Sequence, residues 1–361
     1  MINNDNIIKL TQLIGVGLKI RDIESLSFDI DKISNVEWQQ LYDLAQEQGV
    51  LAIVFDAISD SSIVSRIPKE LKFRWIAAVS ARERNYLKQY NCAKDLALVF
   101  KQKGVTTTVL KGLSIASYYP IPAHREFGDF DCFLGDDYEL GNQIAENYGA
   151  KVERDYYRHS HIYYKNQMVE NHQFCVGVRG SKTMKMFERH LRAIMHNHNK
   201  LIDGDLLVNP SPDFNALFLT SHAMTHFLVE GIKLRHICDW ALLLHHDQDK
   251  INWTEFYQWT DKLHYTKFAN ILTSIAMQFM GLKIHNPNVG YEDVYSDYVL
   301  NDIFCQNSIF NKGYGVWKSR MISIKNRLKS LWKFKAIYQR SVFVAISEQI
   351  FGFIFDRKPT I

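Results

Sequence analysis

The chain has 361 residues, a length that can bury a large core and predicts two or three subdomains. Hydrophobic residues make up 47% and charged residues 23%, and the net charge of +4 is too small for a general electrostatic nucleic-acid binder. With only 7 prolines and 18 glycines, the composition favours long regular elements over a disordered linker protein.

The cysteines and the apolar stretches bear on the cellular location. Five cysteines lie far apart and without paired spacing, at Cys92, Cys132, Cys175, Cys238 and Cys305. This pattern favours reduced thiols over disulfides or a zinc site. The first residues lack a signal-peptide pattern, and the most apolar stretch, residues 341–355, is shorter than the ~20 residues of a membrane span. A cytoplasmic protein without a transmembrane segment is therefore predicted.

Helical spacing of apolar residues dominates residues 1–104. One helix is expected from a cap at Asn35 to a stop at Gly49, and a longer helix over residues 68–104. The same spacing returns in residues 179–361. Helices are expected there over residues 184–195, 214–229 and 232–244.

Residues 105–178 have a different pattern, with short β-branched and alternating runs between helical segments. The expected strands are 105–110, 129–134, 156–164 and 168–178. The expected helices are 112–119 and 136–148. The sequence therefore predicts an α+β fold, in which a compact α/β core at 105–178 lies between helical regions at 1–104 and 179–361.

The segment 312–340 has a basic bias that the net charge conceals. It contains nine Lys or Arg residues and no acidic residue, together with several aromatic side chains. The preferred interpretation is a solvated basic helix that packs on the core by its aromatic face. Contact with an anionic partner, such as a polyanionic or lipid-linked acceptor, is the alternative.

The run Gly128-Asp129-Phe130-Asp131 is the strongest chemical signal. Side chains alternate along a strand, so Asp129 and Asp131 are expected on one face and Phe130 on the other. Two carboxylates on one face repel each other unless a cation lies between them. Such oxygen ligands suit Mg2+, which retains open positions for phosphate oxygens. Asp129 and Asp131 are therefore predicted to bind Mg2+.

Other polar residues complete this predicted site. A two-metal phosphoryl-transfer site usually needs a third carboxylate, and Glu170 in the following strand is the best candidate, with His172 on the same face. Gly112 leads into a short helix whose backbone N–H groups would face a phosphate. Lys111 and Arg125 would bind the triphosphate charge.

Each of these residues also has an ordinary structural interpretation. Asp-x-Asp pairs occur in surface turns and helix caps, Glu170 alone suits a solvent-facing strand, and Lys111 alone suits a surface charge. The order of the elements favours a functional site. A strand, a Gly turn, a short helix, a loop with Arg125 and then Gly-Asp-Phe-Asp follow one another along the chain.

This stretch resembles the nucleotidyltransferase superfamily that includes DNA polymerase β and the aminoglycoside nucleotidyltransferases. It is most similar to a poorly characterised bacterial nucleotidyltransferase branch often found near surface-polysaccharide genes. The matching residues are Leu110-Lys111-Gly112, Arg125, Gly128, Asp129, Asp131, Glu170-Asn171-His172, His222, His226, Arg235 and Asp239. The resemblance covers roughly residues 36–245.

The resemblance implies a mixed sheet, binding of an NTP such as ATP with Mg2+, and transfer of a nucleoside monophosphate to an acceptor that the sequence does not name. In this family pattern Asp129, Asp131 and Glu170 are the catalytic metal ligands. The expected nucleotide-binding residues are Lys111, Gly112, Arg125 and His172. Two positions depart from the pattern: Leu113 replaces a Gly or Ser, and Asn171 replaces an apolar residue.

The remaining histidines have weaker signals. His222 and His226 lack a His-Glu-x-x-His pattern and are expected to pack against Arg235 and Asp239, which are spaced to pair with each other. An acceptor-site role for this group is the alternative. The pairs His159/His161 and His196/His198 are expected to be exposed, unless the strand of His161 pairs with that of Glu170.

Two rival functions stay open at this point. One is a kinase-like phosphotransferase, and the other is a binding protein that retains the nucleotidyltransferase core without activity.

Overall fold

The computed structural model describes residues 4–59, 61–126, 128–178, 181–197, 200–202, 204, 206–305, 330–341 and 343. The helices of the first half are α1 (Asn4–Gly17), α2 (Asn35–Glu47), α3 (Leu51–Ile58), α4 (Ser61–Val64), α5 (Lys69–Gln102), α6 (Gly112–Ala116) and α7 (Tyr138–Asn147). Those of the second half are α8 (Lys182–Ile194), α9 (Pro212–Val229), α10 (Leu234–Asp247), α11 (Trp253–Leu263), α12 (Thr266–Ile275), α13 (Ser296–Cys305) and α14 (Leu331–Lys333). Single 3₁₀ turns lie at Ile23–Ser25, Ile30–Lys32, Pro122–His124 and Gly135–Asp137, and π-helical turns at Ala276–Met280 and Phe334–Tyr338.

One mixed sheet holds the strands of the described residues. The strands are β1 (Thr107–Leu110), β2 (Phe130–Phe133), β3 (Lys151–Glu153), β4 (His159–Tyr164), β5 (Gln167–His172), β6 (Lys200–Ile202) and β7 (Leu207–Asn209). Their order is β3-β4-β5-β2-β1-β7-β6. β2 and β5 are parallel, as are β1 and β7, and the other neighbours are antiparallel. The predicted α+β fold is confirmed.

The structure corrects several element boundaries. β2 begins at Phe130, so Asp129 precedes the strand. The strand predicted over 168–178 ends at His172, because its partner β4 begins at His159, which pairs with His172. α2 is capped by Ser34 and not by Asn35. In α2 the Ser34 hydroxyl accepts from the backbone of Glu37, whose side chain accepts in return from the Ser34 N–H.

The sequence analysis missed β6 and β7, which are three residues long and too short to show alternation. Because these strands extend the sheet to Asn209, it reaches beyond residue 178. The domain boundaries at residues 104 and 178 stay a prediction.

Each face of the sheet packs against a different apolar core. On one face Val109, Cys132 and Val169 pack with Leu96 and Phe100 of α5. On the other face the core includes side chains from β1 and β2 and from α1 to α3 and α8 to α13. The side chains of Asp131 and Glu170 point to this second face, because neighbours along a strand alternate.

The C-terminal predictions fall mostly outside the described residues. This holds for the apolar stretch 341–355, of which only 341 and 343 are described, and for residues 312–329 of the basic segment. In the remainder of that segment Lys333 is buried, donates to the carbonyl of Phe227 at 3.1 Å and pairs with Asp302 at 2.6 Å. Among the described residues, no helix has both the length and the apolar character needed to cross a membrane.

His124 connects the N-terminal helices to the loop that precedes the site. It is buried, and its Nδ1 lies 2.8 Å from Asp56 on α3 while its Nε2 lies 3.1 Å from Glu83 on α5. Burial lowers the pKa of His124, but the two carboxylates outweigh burial and raise this pKa above its ordinary value of 6.5. The charged imidazole therefore stabilises the folded state.

This arrangement predicts a pH dependence of stability. The stabilisation by His124 is fully present below pH 6.5, the unfolded value, and is lost as pH rises through the higher folded pKa. The free energy of unfolding of the wild type, relative to His124→Gln, is expected to fall across that window. Urea denaturation at a series of pH values measures it. The exposed His285, replaced by Gln, is the control, and a constant difference between wild type and His124→Gln across the window would contradict the prediction.

Candidate active site

Two carboxylates lie side by side on neighbouring parallel strands. The strand register places Leu110, Asp131, Glu170 and His161 in one row across β1, β2, β5 and β4. All four side chains point to the same face of the sheet. The strand of His161 pairs with that of Glu170, which is the condition that the sequence left open. The sheet therefore brings together residues that lie up to 60 positions apart in the chain, from Leu110 to Glu170.

Asp131 is buried between a lysine and a histidine. The Lys111 ammonium lies 2.7 Å from Oδ1 of Asp131, and Nε2 of His172 lies 2.9 Å from the same atom. His172 is 1% exposed, and its Nε2 also lies 3.3 Å from Oε2 of Glu170. The buried His172 thus contacts both carboxylates, and the Lys111 ammonium pairs with the carboxylate of Asp131.

Glu170 is held in its ionised form. Burial favours the neutral acid, but the adjacent imidazoles of His161 and His172 and the nearby Lys111 charge outweigh burial and hold the pKa of Glu170 well below its ordinary range. Burial lowers the pKa of the neighbouring His159 to about 3, so this imidazole is neutral at neutral pH. The site therefore combines an ionised Glu170 carboxylate with at least one neutral imidazole.

The turn that carries Lys111 has an unusual backbone. Lys111 has φ 44° and ψ −104°, a region that non-glycine residues rarely adopt and that costs roughly 1–3 kcal/mol. The turn is held from β7, because the Asn209 side chain exchanges hydrogen bonds with Ser114 on α6. No sequence pattern pointed to Asn209. The turn directs the Lys111 side chain to Asp131 and places Gly112 at the surface of the cleft.

The two departures from the family pattern have structural explanations. Leu113 is 4% exposed and packs in the core on the opposite face of the sheet, away from the cleft. Asn171 also points to that face, where its amide donates to the carbonyl of Tyr138 and to the side chain of Asn142 on α7. Both side chains therefore make their contacts on the face of the sheet opposite the cleft, and neither lines the cleft.

Arg125 forms a buried ion pair that the sequence analysis did not predict. Its Nε and Nη2 donate to the two carboxylate oxygens of Asp239 at 2.8 and 2.7 Å. Tyr119 donates to the same carboxylate at 2.7 Å. The expected pairing of Arg235 with Asp239 within α10 is wrong, because Asp239 binds Arg125, which lies 114 positions away and offers a bidentate contact.

These residues surround a cleft between the sheet and the helices. Its volume is about 250 Å3. The sheet side is lined by Lys111, Gly112, Gly128, Asp129, Asp131 and Glu170, and the other side by Arg125, Leu219, His222, Ala223, His226, Arg235, His236 and Asp239. A larger hollow of about 600 Å3 lies against residues 331–341 and has no acidic lining residue among those described.

The helical wall of the cleft carries a cluster of imidazoles. The ring centroids of His222 and His226 are 4.4 Å apart, and those of His226 and His236 are 5.8 Å apart. Burial lowers the pKa of His222 and of His236 well below the ordinary value. The packing of His222 and His226 against Arg235 and Asp239 stays a prediction, and the ring contacts that both histidines make with the next helix are with His236. The neutral imidazoles of His222 and His236 therefore lie on this wall beside the Arg125, Arg235 and Asp239 side chains.

The predicted site residues line this cleft except His172, which is buried beside Asp131 and Glu170, so its role in nucleotide binding stays a prediction. Within the part of the chain that the structure describes, two groups of three metal-ligating side chains have ligand atoms within 4.8 Å of one another. One is Asp131, Glu170 and His172, and the other is His159, His161 and Glu170. Asp129 lines the cleft but belongs to neither group.

The expectation that His159 and His161 are exposed is wrong. Each is 8% exposed, because β4 lies between β3 and β5 in the sheet and the Tyr156 ring packs against both imidazoles. The sequence did carry a signal for this cluster, because the alternating positions of His159, His161, Glu170 and His172 put all four side chains on one face of two neighbouring strands.

A family model described as "Uncharacterised nucleotidyltransferase" matches residues 34–281. The chain belongs to this family. The match includes the whole sheet and both walls of the cleft. It ends before α13 and the C-terminal segments. No curated protein and no solved structure matches the chain.

Membership of the nucleotidyltransferase family gives a coarse functional assignment. It confirms the resemblance derived from the motifs and supports a transferase that acts on a nucleotide. Nucleotidyltransferases typically use divalent metal ions, and the grouped carboxylates and imidazoles are side chains of the kind that bind them.

Proposed function

We propose that this protein transfers a nucleoside monophosphate from an NTP to an acceptor hydroxyl in a Mg2+-dependent reaction. The acceptor oxygen attacks the α-phosphorus, the bond from the α-phosphorus to the bridging oxygen breaks, and pyrophosphate leaves. The proposal rests above all on the pairing of Asp131 with Glu170 on parallel strands, at a cleft that Lys111 also lines, in a chain of the nucleotidyltransferase family.

The carboxylates suit the expected metal ion. Asp131 and Glu170 are the proposed Mg2+ ligands, and Asp129, which lines the same cleft, is the further ligand expected from the sequence. Carboxylate oxygens are the donors that Mg2+ prefers. When bound, Mg2+ supplies charge that stabilises the phosphates and orients them for in-line displacement. The low pKa of Glu170 makes it a weak base, which favours the ligand role over that of general base.

The basic residues would hold the triphosphate. The Lys111 ammonium, which pairs with Asp131 at 2.7 Å, would pair with a phosphate oxygen when the nucleotide binds. Gly112 offers its backbone at the cleft surface without a side chain in the way. Arg125 contributes a fixed positive charge, because Asp239 holds its guanidinium. The buried His172 contacts both Asp131 and Glu170 and would keep these carboxylates in position.

The acceptor would bind along the helical wall. His222 and His236 are neutral there, and neutral imidazoles can donate to or accept from a hydroxyl group without competing for the phosphate. This wall gives a polar surface that suits a sugar or another polyhydroxyl acceptor. The displaced proton would leave to solvent in the open part of the cleft.

Nucleotide binding is the first test. Calorimetric titration of the full chain with ATP, GTP, CTP and UTP, each with Mg2+, is expected to give binding heat for at least one NTP. The double variant Asp129→Asn/Asp131→Asn is expected to lose most of this heat. Asp136→Asn is the matched control, because Asp136 is fully exposed outside the cleft. Absence of heat with every NTP, or equal heat with the double variant, would refute the metal-site proposal.

Labelled ATP separates the remaining alternatives. With a bacterial extract as the source of acceptor, α-labelled ATP is expected to label a product, and γ-labelled ATP is expected to label only pyrophosphate. Transfer of the γ-label would instead show a kinase-like phosphotransferase. NTP binding without transfer of either label would favour the inactive binding protein.

A further inference from the structure

Two histidines on β4 extend the carboxylate row away from Asp131. His161 is in register with Glu170, and His159 lies two residues away on the same face of the strand. The Nε2 atoms of His159 and His161 each lie 3.7 Å from Oε1 of Glu170. The ligand atoms of these three residues all lie within 4.8 Å of one another. One carboxylate oxygen therefore faces two imidazole nitrogens.

His159 is buried without a hydrogen bond to any described residue. It is 8% exposed, its Nδ1 has no hydrogen-bond partner, and its Nε2 is too far from Glu170 for a hydrogen bond. Buried polar groups are nearly always hydrogen-bonded, paired or bound to a metal. A metal ion bound at Nε2 would give this buried ring the partner that the described residues do not supply.

Aromatic stacking orients the two imidazoles. The Tyr156 ring centroid lies 5.2 Å from that of His159 and 4.4 Å from that of His161. The two histidine rings also stack on each other, with centroids 5.0 Å apart. Because packed rings cannot rotate freely, the nitrogen atoms that face Glu170 are held in place.

We propose that His159, His161 and Glu170 bind one divalent transition-metal ion of the Zn2+ and Co2+ class. Two imidazoles and a carboxylate are a ligand set of zinc sites that keep a fourth position open. Tetrahedral zinc with bonds of about 2.0–2.1 Å places its ligand atoms roughly 3.3 Å apart. The two 3.7 Å separations are close to this value. Mg2+ prefers oxygen ligands and competes poorly for two nitrogens.

This ion goes beyond the proposed function, which requires a carboxylate-bound Mg2+ alone. Glu170 would be shared between the two positions, since its Oε1 faces His159 and His161 while its Oε2 faces His172. The imidazole-bound ion would therefore lie beside the nucleotide, with its open position available to a phosphate or acceptor oxygen. The combination makes the cleft a mixed-metal site.

Cobalt spectroscopy on the full chain tests the proposal. Metal-free protein titrated with Co2+ in excess Mg2+ is expected to bind one equivalent with the strong visible absorption of four- or five-coordinate Co2+. Stoichiometric Zn2+ should remove the absorption, whereas a further increase in the Mg2+ concentration should not. Absence of the absorption, or its removal by Mg2+, would overturn the proposal.

Matched variants assign the ligands. His159→Phe and His161→Phe preserve an aromatic ring against Tyr156, and each is expected to lose the absorption. His285→Gln, at an exposed histidine paired with Asp249, should keep it. Retention by both Phe variants would contradict the assignment. X-ray absorption on the Zn2+-loaded wild type gives a reading that does not depend on the folding of variants: two imidazole ligands are expected, and a spectrum without imidazole would reject the site.

One further variant separates this proposal from the proposed function. Asp131→Asn is expected to lose Mg2+-dependent NTP binding and to keep the Co2+ absorption, because Asp131 does not belong to the imidazole group. A wild type that binds Co2+ in this way but no NTP would reject the proposed function alone. A wild type that binds NTP but gives no Co2+ absorption would reject the imidazole site alone.

Discussion

Replacing Asp131 by Asn is expected to lower nucleotidyl transfer by at least about 10²–10³-fold, the effect typical of losing one electrostatic contact to a transition state. Asp131 contributes a negative charge to the proposed metal site and also aligns Lys111. Asn keeps the shape of the side chain and one oxygen that can accept from His172, but it cannot hold Mg2+ with a full charge. The rate of α-label incorporation into the labelled product measures the effect.

The fold is expected to survive this substitution. Asn preserves the volume of the side chain, and Lys111, which is partly exposed, can reach solvent when its partner loses its charge. Circular dichroism and urea denaturation should therefore show a folded protein. Asp136→Asn makes the same chemical change at an exposed position and should leave the rate unchanged. A rate for Asp131→Asn within a few-fold of the wild type would remove Asp131 from the proposed mechanism.

Replacing Asp239 by Asn is expected to lower the free energy of unfolding by about 3–5 kcal/mol, because it leaves a buried cation without its partner. Arg125 and Asp239 are both almost fully buried and joined by two hydrogen bonds. The amide of Asn offers Arg125 one oxygen and one competing donor. Burial lowers the pKa of Arg125, but the Asp239 charge outweighs burial and raises it, so the guanidinium stays charged. Urea denaturation of the wild type and the variant measures the loss.

An exposed pair provides the control for this prediction. Asp249 pairs with His285 at 2.7 Å, and both side chains are about two-thirds exposed. Asp249→Asn should cost less than about 1 kcal/mol, as exposed ion pairs do. Equal losses from the two substitutions would mean that burial of the Arg125 pair has no energetic effect. The Arg125 pair also links the loop before β2 to α10, so its loss should weaken NTP binding as well.

The histidines around Glu170 and the low pKa of this carboxylate change the view of the cleft that the sequence suggested. The sequence predicted a site of three carboxylates. The structure surrounds Glu170 with His159, His161 and His172, and Asp129 lines the same cleft without belonging to either ligand group. The role of Asp129 as a metal ligand stays a prediction, and the nucleotide titration tests it together with Asp131.

Much of the local structure followed from short-range patterns. The alternation around Gly128-Asp129-Phe130-Asp131 correctly placed Asp131 on the face opposite Phe130, because the two-residue period of a strand is a local property. The strand β4 and the long helix α5 were also predicted. Strands of three residues were missed, since β6 and β7 owe their existence to pairing with the rest of the sheet.

The sequence by itself therefore determined the family, the α+β class and the identity of the two strands that carry Asp131 and Glu170. Only the tertiary structure decided which groups meet. Asp239 binds Arg125 across 114 positions, Asn209 holds the Lys111 turn, and His159 and His161 are buried against Glu170. These contacts depend on how the sheet and helices pack, and a pattern that repeats every two or four residues carries no information about partners so far apart in the chain.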